Sequence, residues 1–325
     1  MPATDSPTAT EPASRSRAIF VVGAGRSGTS AITRGLQALG VELGDRLKAP
    51  TDKNPTGFFE DRDLLRIAKR MRSELGLRAE SVSLIDAPQW SRAEVDALVD
   101  QAVATIQQRF AQYPLWGFKY AQTLRMLPFW ETVTQRAGID LNFVVAARNP
   151  LSVARSRTQL DPLRGLQEKT DLEWLVNVVP YFRRMAERRF VVVEYDLLME
   201  DPRVQLARMA ERLSIPMDNA ARQGVEAFVG EFLKPGMRHT RFVDEDLDRD
   251  VRLNPLVRDA YRWLQRLATD RIAADDPELW RDWARIEAQL EASAPLLRHV
   301  DYLESELRRR RGGGLGRLAT KLFGR

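Results

Sequence analysis

AIFVVGAGRSGTSAI, residues Ala18–Ile32, decides how this chain folds. Ala18 to Val22 are apolar and mostly β-branched or aromatic, the pattern of a short buried strand. Gly23-Ala24-Gly25 turns the chain. Ser27-Gly28-Thr29-Ser30 then opens a run with apolar residues at Ile32, Leu36 and Leu39, which Gly40 stops, so a helix follows. A strand, a glycine loop and a helix N-terminus together form an anion cradle, because free backbone N–H groups and the positive end of the helix dipole face one point.

Three readings of the loop compete. As a P-loop it has Gly23, four residues, Gly28 and Thr29-Ser30, but Thr29 stands where the phosphate-binding lysine belongs. As a dinucleotide loop it shows Gly23-x-Gly25-x-x-Gly28, with Glu42 and Asp45 as the acids beyond, and this would make the protein an NAD(P)-binding oxidoreductase. The third reading uses Arg26 as a fixed cation flanked by the hydroxyls of Ser27, Thr29 and Ser30. That set suits a dense polyanion whose bridging oxygen gains charge as a bond breaks.

Bulk properties narrow the classes. A chain of 325 residues with 44% hydrophobic and 29% charged residues suits a globular protein with one large core or two modest ones. The absence of cysteine removes disulfides, thiolate metal sites and a cysteine nucleophile, and two histidines, His239 and His299, nearly exclude a multi-histidine metal site. A charge of +5 and a pI near 9.6 favour anionic ligands or surfaces, yet no finger or aromatic RNA-binding signature points to nucleic acid. No run reaches the ~18–20 apolar residues of a membrane span, and residues Met1–Arg15 lack the features of a signal peptide and are expected to be a disordered arm. The expected location is cytoplasmic, and the Ala/Arg-rich composition suggests a bacterial source.

Downstream, Ala49–Asp63 combines turn signals at Asn54-Pro55 and Thr56-Gly57 with Phe58-Phe59 and the acids Glu60, Asp61 and Asp63, ahead of a helix over Leu64–Leu75. An acid here can cap a helix dipole or serve an acceptor hydroxyl as base. Leu115–Tyr120, LWGFKY, reads as a second core strand that carries Lys119 to the edge where α/β sheets bind ligands. Asn142–Ala147 is a third strand with Arg148 at its tip. Asn149-Pro150 turns the chain into a helix that raises Ser156 about two turns, so both side chains can face one phosphate. Leu175–Arg188 reads as a helix and Phe190–Tyr195 as a fourth strand. Late in the chain, Lys234, Arg238, His239 and Arg241 crowd around Pro235-Gly236, as a second phosphate clamp or as a solvated charge cluster.

GAGRSGTS resembles the 5′-phosphosulfate loop of sulfotransferases that use 3′-phosphoadenosine 5′-phosphosulfate (PAPS), above all the tyrosylprotein and carbohydrate branches, which carry arginine at the position of Arg26. Asn54–Glu60 is similar to the Asn-Pro-x-Gly-aromatic-aromatic-Glu segment of many bacterial sulfotransferase-like proteins. The family often has Lys-Asp-Pro-Arg where this chain has Lys119-Tyr120-Ala121-Gln122, so only the lysine carries over. An arginine and a serine at the spacing of Arg148 and Ser156 hold the 3′-phosphate in the family, and Glu194–Pro202 resembles a structural segment of it.

The resemblance implies a mainly parallel α/β sheet flanked by helices, a P-loop NTPase-like three-layer sandwich with a C-terminal helical extension. The expected division is an arm over 1–16, the α/β domain over 17–272, a helical extension over 273–311 and a basic tail over 312–325. Gly25, Arg26, Ser27, Gly28, Thr29, Ser30, Arg148, Ser156, Arg238 and His239 would bind PAPS. Arg26 and Lys119 would neutralise the leaving phosphate, and Glu60 would be the base, with Asp61 or His239 in reserve. No metal is expected. The acceptor is a hydroxyl, of a sugar, a glycolipid or another alcohol. Leu296, Val300, Leu303 and Leu307 form a short coiled-coil seam suited to a homodimer. Arg308–Arg325, with seven basic residues and no acid, suits peripheral contact with an anionic membrane, uncoupled from the helix by Gly312–Gly314. A non-enzymatic membrane-peripheral scaffold is the remaining alternative.

Overall fold

The computed structural model describes residues 16–51, 57–233 and 242–323, with side chains described up to Arg310. The strands are β1 Arg17–Val22, β2 Leu115–Lys119, β3 Asp140–Ala147 and β4 Phe190–Glu194. They form one parallel sheet in the order β2-β1-β3-β4. Parallel neighbours need long crossovers, and helices supply them. These are α1 Thr29–Ala38, α2 Arg62–Glu74 and α3 Ala93–Arg109 before β2, then α4 Leu127–Arg136 before β3, then α5 Pro150–Thr158 and α6 Gln167–Val178 before β4. After the sheet come α7 Tyr195–Glu200, α8 Pro202–Arg212, α9 Asn219–Ala227, α10 Asp244–Arg249, α11 Pro255–Ala268, α12 Pro277–Ala292 and α13 Ala294–Phe323.

Side chains alternate across the sheet, as the strand period requires. Phe20, Phe118, Phe143 and Val192 face α3, α4, α6, α11 and α12. Ile19, Val21, Val144 and Val193 face α1, α8 and α9. Both faces are covered, which is why every strand reads as a continuous apolar run rather than an alternating one. Trp283 of α12 and Leu297 of α13 are buried in the same core as the sheet.

The structure shifts several expected boundaries. Leu175–Arg188 is two pieces: α6 ends at Val178, Pro180 follows, and a 3₁₀ turn spans Phe182–Glu187, because proline cannot continue the hydrogen-bond ladder. Val41–Leu43 contributes one isolated parallel bridge, Glu42 to Trp116. α9 closes in a π turn over Phe228–Phe232. α13 runs on through Gly312–Gly314 to Phe323, so no break in the helix separates the basic tail. Along the expected seam, Leu296, Leu303 and Leu307 are exposed, while Val300 packs on the core beside the buried Leu297. The arm over 1–15, Asn54-Pro55 and the basic cluster with Lys234, Arg238, His239 and Arg241 lie outside the described residues.

One buried acid makes the fold pH-sensitive. Glu194 caps α7, accepting from Leu197 N at 2.9 Å. Burial, and then neighbouring Asp196, push its carboxyl up to about 7. The folded state therefore holds the proton where the unfolded chain, titrating near its ordinary value, has lost it. Stability falls as pH rises from about 4.5 to about 7. Glu194→Gln should remove this share of the slope, gaining up to roughly 3 kcal/mol at pH 7.5 and little at pH 4.5. Asp171, raised to about 7 by its own burial, keeps its part. Thermal melts at the two pH values check this; an unchanged slope would show that Glu194 titrates normally.

Candidate active site

The register of the sheet gathers the site. Val21 lies opposite Lys119 on one side of β1, and Val22 opposite Val145 on the other. The loop after β1, the end of β2 and the tip of β3 therefore emerge side by side. Ligands of open α/β sheets bind at this edge.

Two glycines of the loop are sterically required. Gly23 has φ +132°, and a Cβ there would meet the carbonyl oxygen of Ala146 at 2.4 Å. Gly28 has φ +81°, and a Cβ there would meet Cδ2 of Tyr195 at 2.1 Å. Gly28 is the N-cap of α1 and offers no capping side chain, so the first-turn amides of α1 stay open to a ligand. Between these glycines, Arg26 takes a left-handed backbone, φ +76°, which costs a non-glycine residue free energy of order 1 kcal/mol or more. Buried Ser27 keeps an Oγ without a hydrogen-bond partner among the described residues. An unsatisfied buried hydroxyl and a strained arginine in one loop mark a site shaped for a ligand rather than for stability.

One pole of the site is built on Arg26. Its Nε and Nη2 donate to Ser156 Oγ at 3.1 and 3.0 Å. Arg148 donates from Nη1 to the carbonyl of Arg26 at 3.2 Å and stacks 4.4 Å above the ring of Tyr195. Desolvation, and then the neighbouring Arg148, lower the pKa of Arg26. The structure thus brings Arg26, Arg148 and Ser156 into one cluster. Arg157, which sequence reasoning passed over, adds a third cation. A Cβ on Gly25 would touch its Nη2 at 3.6 Å, and Glu173 holds Nη1 at 2.9 Å while also binding Arg164. A buried arginine directly after Ser156 was the available signal.

The other pole is Lys119 with Glu60. Lys119 Nζ donates to Glu60 Oε1 at 3.0 Å and to Ser30 Oγ at 3.3 Å. Both side chains are nearly buried, and Lys48 approaches the second carboxylate oxygen at 3.7 Å. Burial lowers the pKa of Lys119, opposed by the attraction of Glu60. The two adjacent acids have different work. Asp61 caps α2, accepting from the amides of Asp63 and Leu64, and takes Arg109 in a bidentate pair at 2.9 and 2.8 Å. Glu60 makes no cap. Phe59, just before it, has φ +53°, a left-handed turn that swings Glu60 towards Lys119.

The acids a dinucleotide loop would need are engaged elsewhere. Glu42 accepts the amides of Leu43 and Gly44, and exposed Asp45 pairs with Arg109 at 2.6 Å. Among the described residues no group of His, Asp or Glu is arranged to hold a metal ion.

The family model described as "Sulfotransferase family" matches residues 18–219. No curated protein sequence matches the chain. Among solved structures, the sulfotransferase STF1 of Mycobacterium tuberculosis H37Rv is 16% identical, with 74% of this chain and 77% of that one covered and a TM-score of 0.39. The sulfotransferase domain of the Synechococcus PCC 7002 olefin synthase is also 16% identical, covering 86% of this chain and 97% of that one at a TM-score of 0.38. The sulfotransferase STF9 of Mycobacterium avium shows 16% identity, 68% and 70% coverage and a TM-score of 0.39. With most of the chain, from β1 to the start of α9, matched by the family model, the protein belongs to the sulfotransferase family.

Proposed function

We propose that the protein transfers a sulfuryl group from PAPS to an acceptor hydroxyl. The observation that carries this reading is the convergence of cations on one loop, with Arg148 beside Ser156 at one end, Lys119 at Ser30 at the other, and Arg26 hydrogen-bonded to both Ser156 and Arg148. A nucleotide with phosphate at both 3′ and 5′ positions presents two matching anionic poles. The bare Cα of Gly25, the open amides of α1 and the Ser27 hydroxyl fit an anion at the 5′ end.

Sulfuryl transfer passes through a loose transition state, as phosphoryl transfer does, so catalysis is positioning and charge stabilisation. The bond from sulfur to the bridging oxygen breaks while one from sulfur to the acceptor oxygen forms. Arg26, the α1 amides and Lys119 stabilise the charge that collects on the leaving phosphate. Glu60 takes the acceptor proton. The hydrogen bond from Lys119 orients the Glu60 carboxylate towards the loop, which supports this role. Arg148 and Ser156 favour donors with a 3′-phosphate. A sugar, a glycolipid or another alcohol is the proposed acceptor class. Peripheral contact of Arg308–Arg325 with anionic membranes is a separate proposal, which vesicle co-sedimentation at low salt tests.

The 3′,5′-bisphosphate of adenosine should bind about tenfold to a hundredfold tighter than 5′-AMP, the worth of one charge-assisted pair at roughly 1.5–3 kcal/mol. Equal affinities in calorimetry would overturn the donor assignment. Glu60→Gln should lower kcat about 10²–10⁴-fold and leave bisphosphate affinity within a few-fold, since the carboxylate serves the acceptor. Asp61→Asn, by contrast, should lower thermal stability through loss of the Arg109 pair and leave kcat nearly unchanged. The opposite ranking of the two variants in a turnover assay would make Asp61 the base.

A further inference from the structure

Away from the donor cradle the chain encloses a second cavity of about 410 Å³. It lies between the 84–90 segment, the start of α4, α6, and the α12–α13 corner, and it shares no residue with the loop, Glu60, Lys119, Arg148 or Ser156. Small-molecule sites fall at roughly 300–1,000 Å³. The walls are apolar and partly aromatic: Ile85, Trp90, Pro128, Val176, Tyr181 and Leu290.

Arg125 also lines this cavity, 2% exposed. A buried guanidinium ordinarily carries a carboxylate. Arg125 instead donates Nη1 and Nη2 to the carbonyls of Ser81 and Ser83, and among the described residues its Nε has no partner. The acids that compensate it act from a distance and are engaged: Asp301 accepts the amides of Val82 and Ser83, and Glu173 holds Arg157 and Arg164. Burial pulls Arg125 down to about 10, so it stays charged at neutral pH. Tyr181 adds a second handle. Its hydroxyl accepts from Trp90 Nε1 at 3.2 Å and keeps its own proton for a ligand.

The remaining charges are at the mouth. Asp86 and Glu291 are exposed, Glu287 is paired with Arg183, and Arg184 with Glu131. The 81–84 segment is fixed from within by Arg125 and from outside by Asp301 of α13, so the cavity is preformed.

We propose that this cavity is a binding site for a small amphiphile, with a compact apolar body between Trp90, Tyr181 and Pro128 and one terminal anionic oxygen group, carboxylate or sulfate, received by Arg125. The site is independent of the donor assignment.

Calorimetry of the full-length protein with octanoate and 1-octanol tests it. Octanoate should bind at one site per chain, at least tenfold tighter than 1-octanol, and should not compete with adenosine 3′,5′-bisphosphate. Arg125→Gln should erase the preference for the acid over the alcohol. Because Arg125 also ties the 81–84 segment, that variant can lose its fold. Ala87→Trp, at the cavity mouth, supplies the second measurement: it should abolish octanoate binding and leave the melting temperature and bisphosphate affinity unchanged. No octanoate binding, equal affinity for acid and alcohol, competition with the bisphosphate, or full binding by Ala87→Trp would each overturn the proposal.

Discussion

The close approach of the β1–α1 loop to its neighbours is the constraint from which the rest of the site follows. Backbone at Gly23 lies against the carbonyl of Ala146, and Gly28 lies under the ring of Tyr195, at distances that admit no side chain. The loop is thus clamped between the ends of β3 and β4. That clamp forces the left-handed turn at Arg26 and sends its guanidinium across to Ser156 on α5. Tyr195 takes part twice, since the ring that covers Gly28 also carries the Arg148 guanidinium on its face. A cation held over an aromatic face loses less on desolvation than one in a bare apolar pocket.

The second consequence is electrostatic. Arg26, Arg148, Arg157 and Lys119 converge on one loop, and the carboxylates among them, Glu60 and Glu173, are shared with Lys48 and Arg164. Burial and mutual repulsion both oppose the charge on Arg26. A fold selected for stability alone gains little from this arrangement, because desolvating four cations around two shared carboxylates is costly. On the proposed function this cost is offset when the polyanionic donor occupies the loop, and the same unfavourable field raises the affinity for it. Ordering of the loop by packing rather than by ligand means the charges need no reorganisation at the moment of reaction.

Much of this was legible in the sequence. The continuous apolar strands, the glycine loop, Lys119 at the end of β2 and Arg148 at the tip of β3 could all be read from local pattern, because a buried parallel strand and its ligand edge leave a local signature. What could not be read depends on contacts between distant segments. Glu60 and Asp61 are adjacent and chemically alike, and only the left-handed Phe59 and the position of Arg109 separate a group facing Lys119 from a helix cap. Tyr195 read as structural, since its role arises from a contact with Gly28, far away in sequence. The hydrogen bond from Arg26 to Ser156 could not be read, because spacing fixes where a Cα stands and not where a long side chain reaches. The break after α6 was a local signal, Pro180, that the apolar periodicity of its flanks concealed.

The C-terminal helices belong to the same argument. Asp301 of α13 binds the amides of Val82 and Ser83, Glu304 pairs with Lys169 at the start of α6, and Arg78 and Arg308 meet around Glu80. These contacts fix the segment that leads from α2 to α3. Gln122 reaches that segment through the carbonyl of Ala79, and Arg72 on α2 donates to both Gln122 and the hydroxyl of Tyr120. Tyr120 follows Lys119 directly. A chain of hydrogen bonds thus runs from α13 through the 78–83 segment to Tyr120, the neighbour of Lys119. Apart from the exposed Arg308–Glu80 contact these links are half-buried polar contacts whose loss would leave an unpaired group, so the helical extension and the ligand edge of the sheet are held in one geometry.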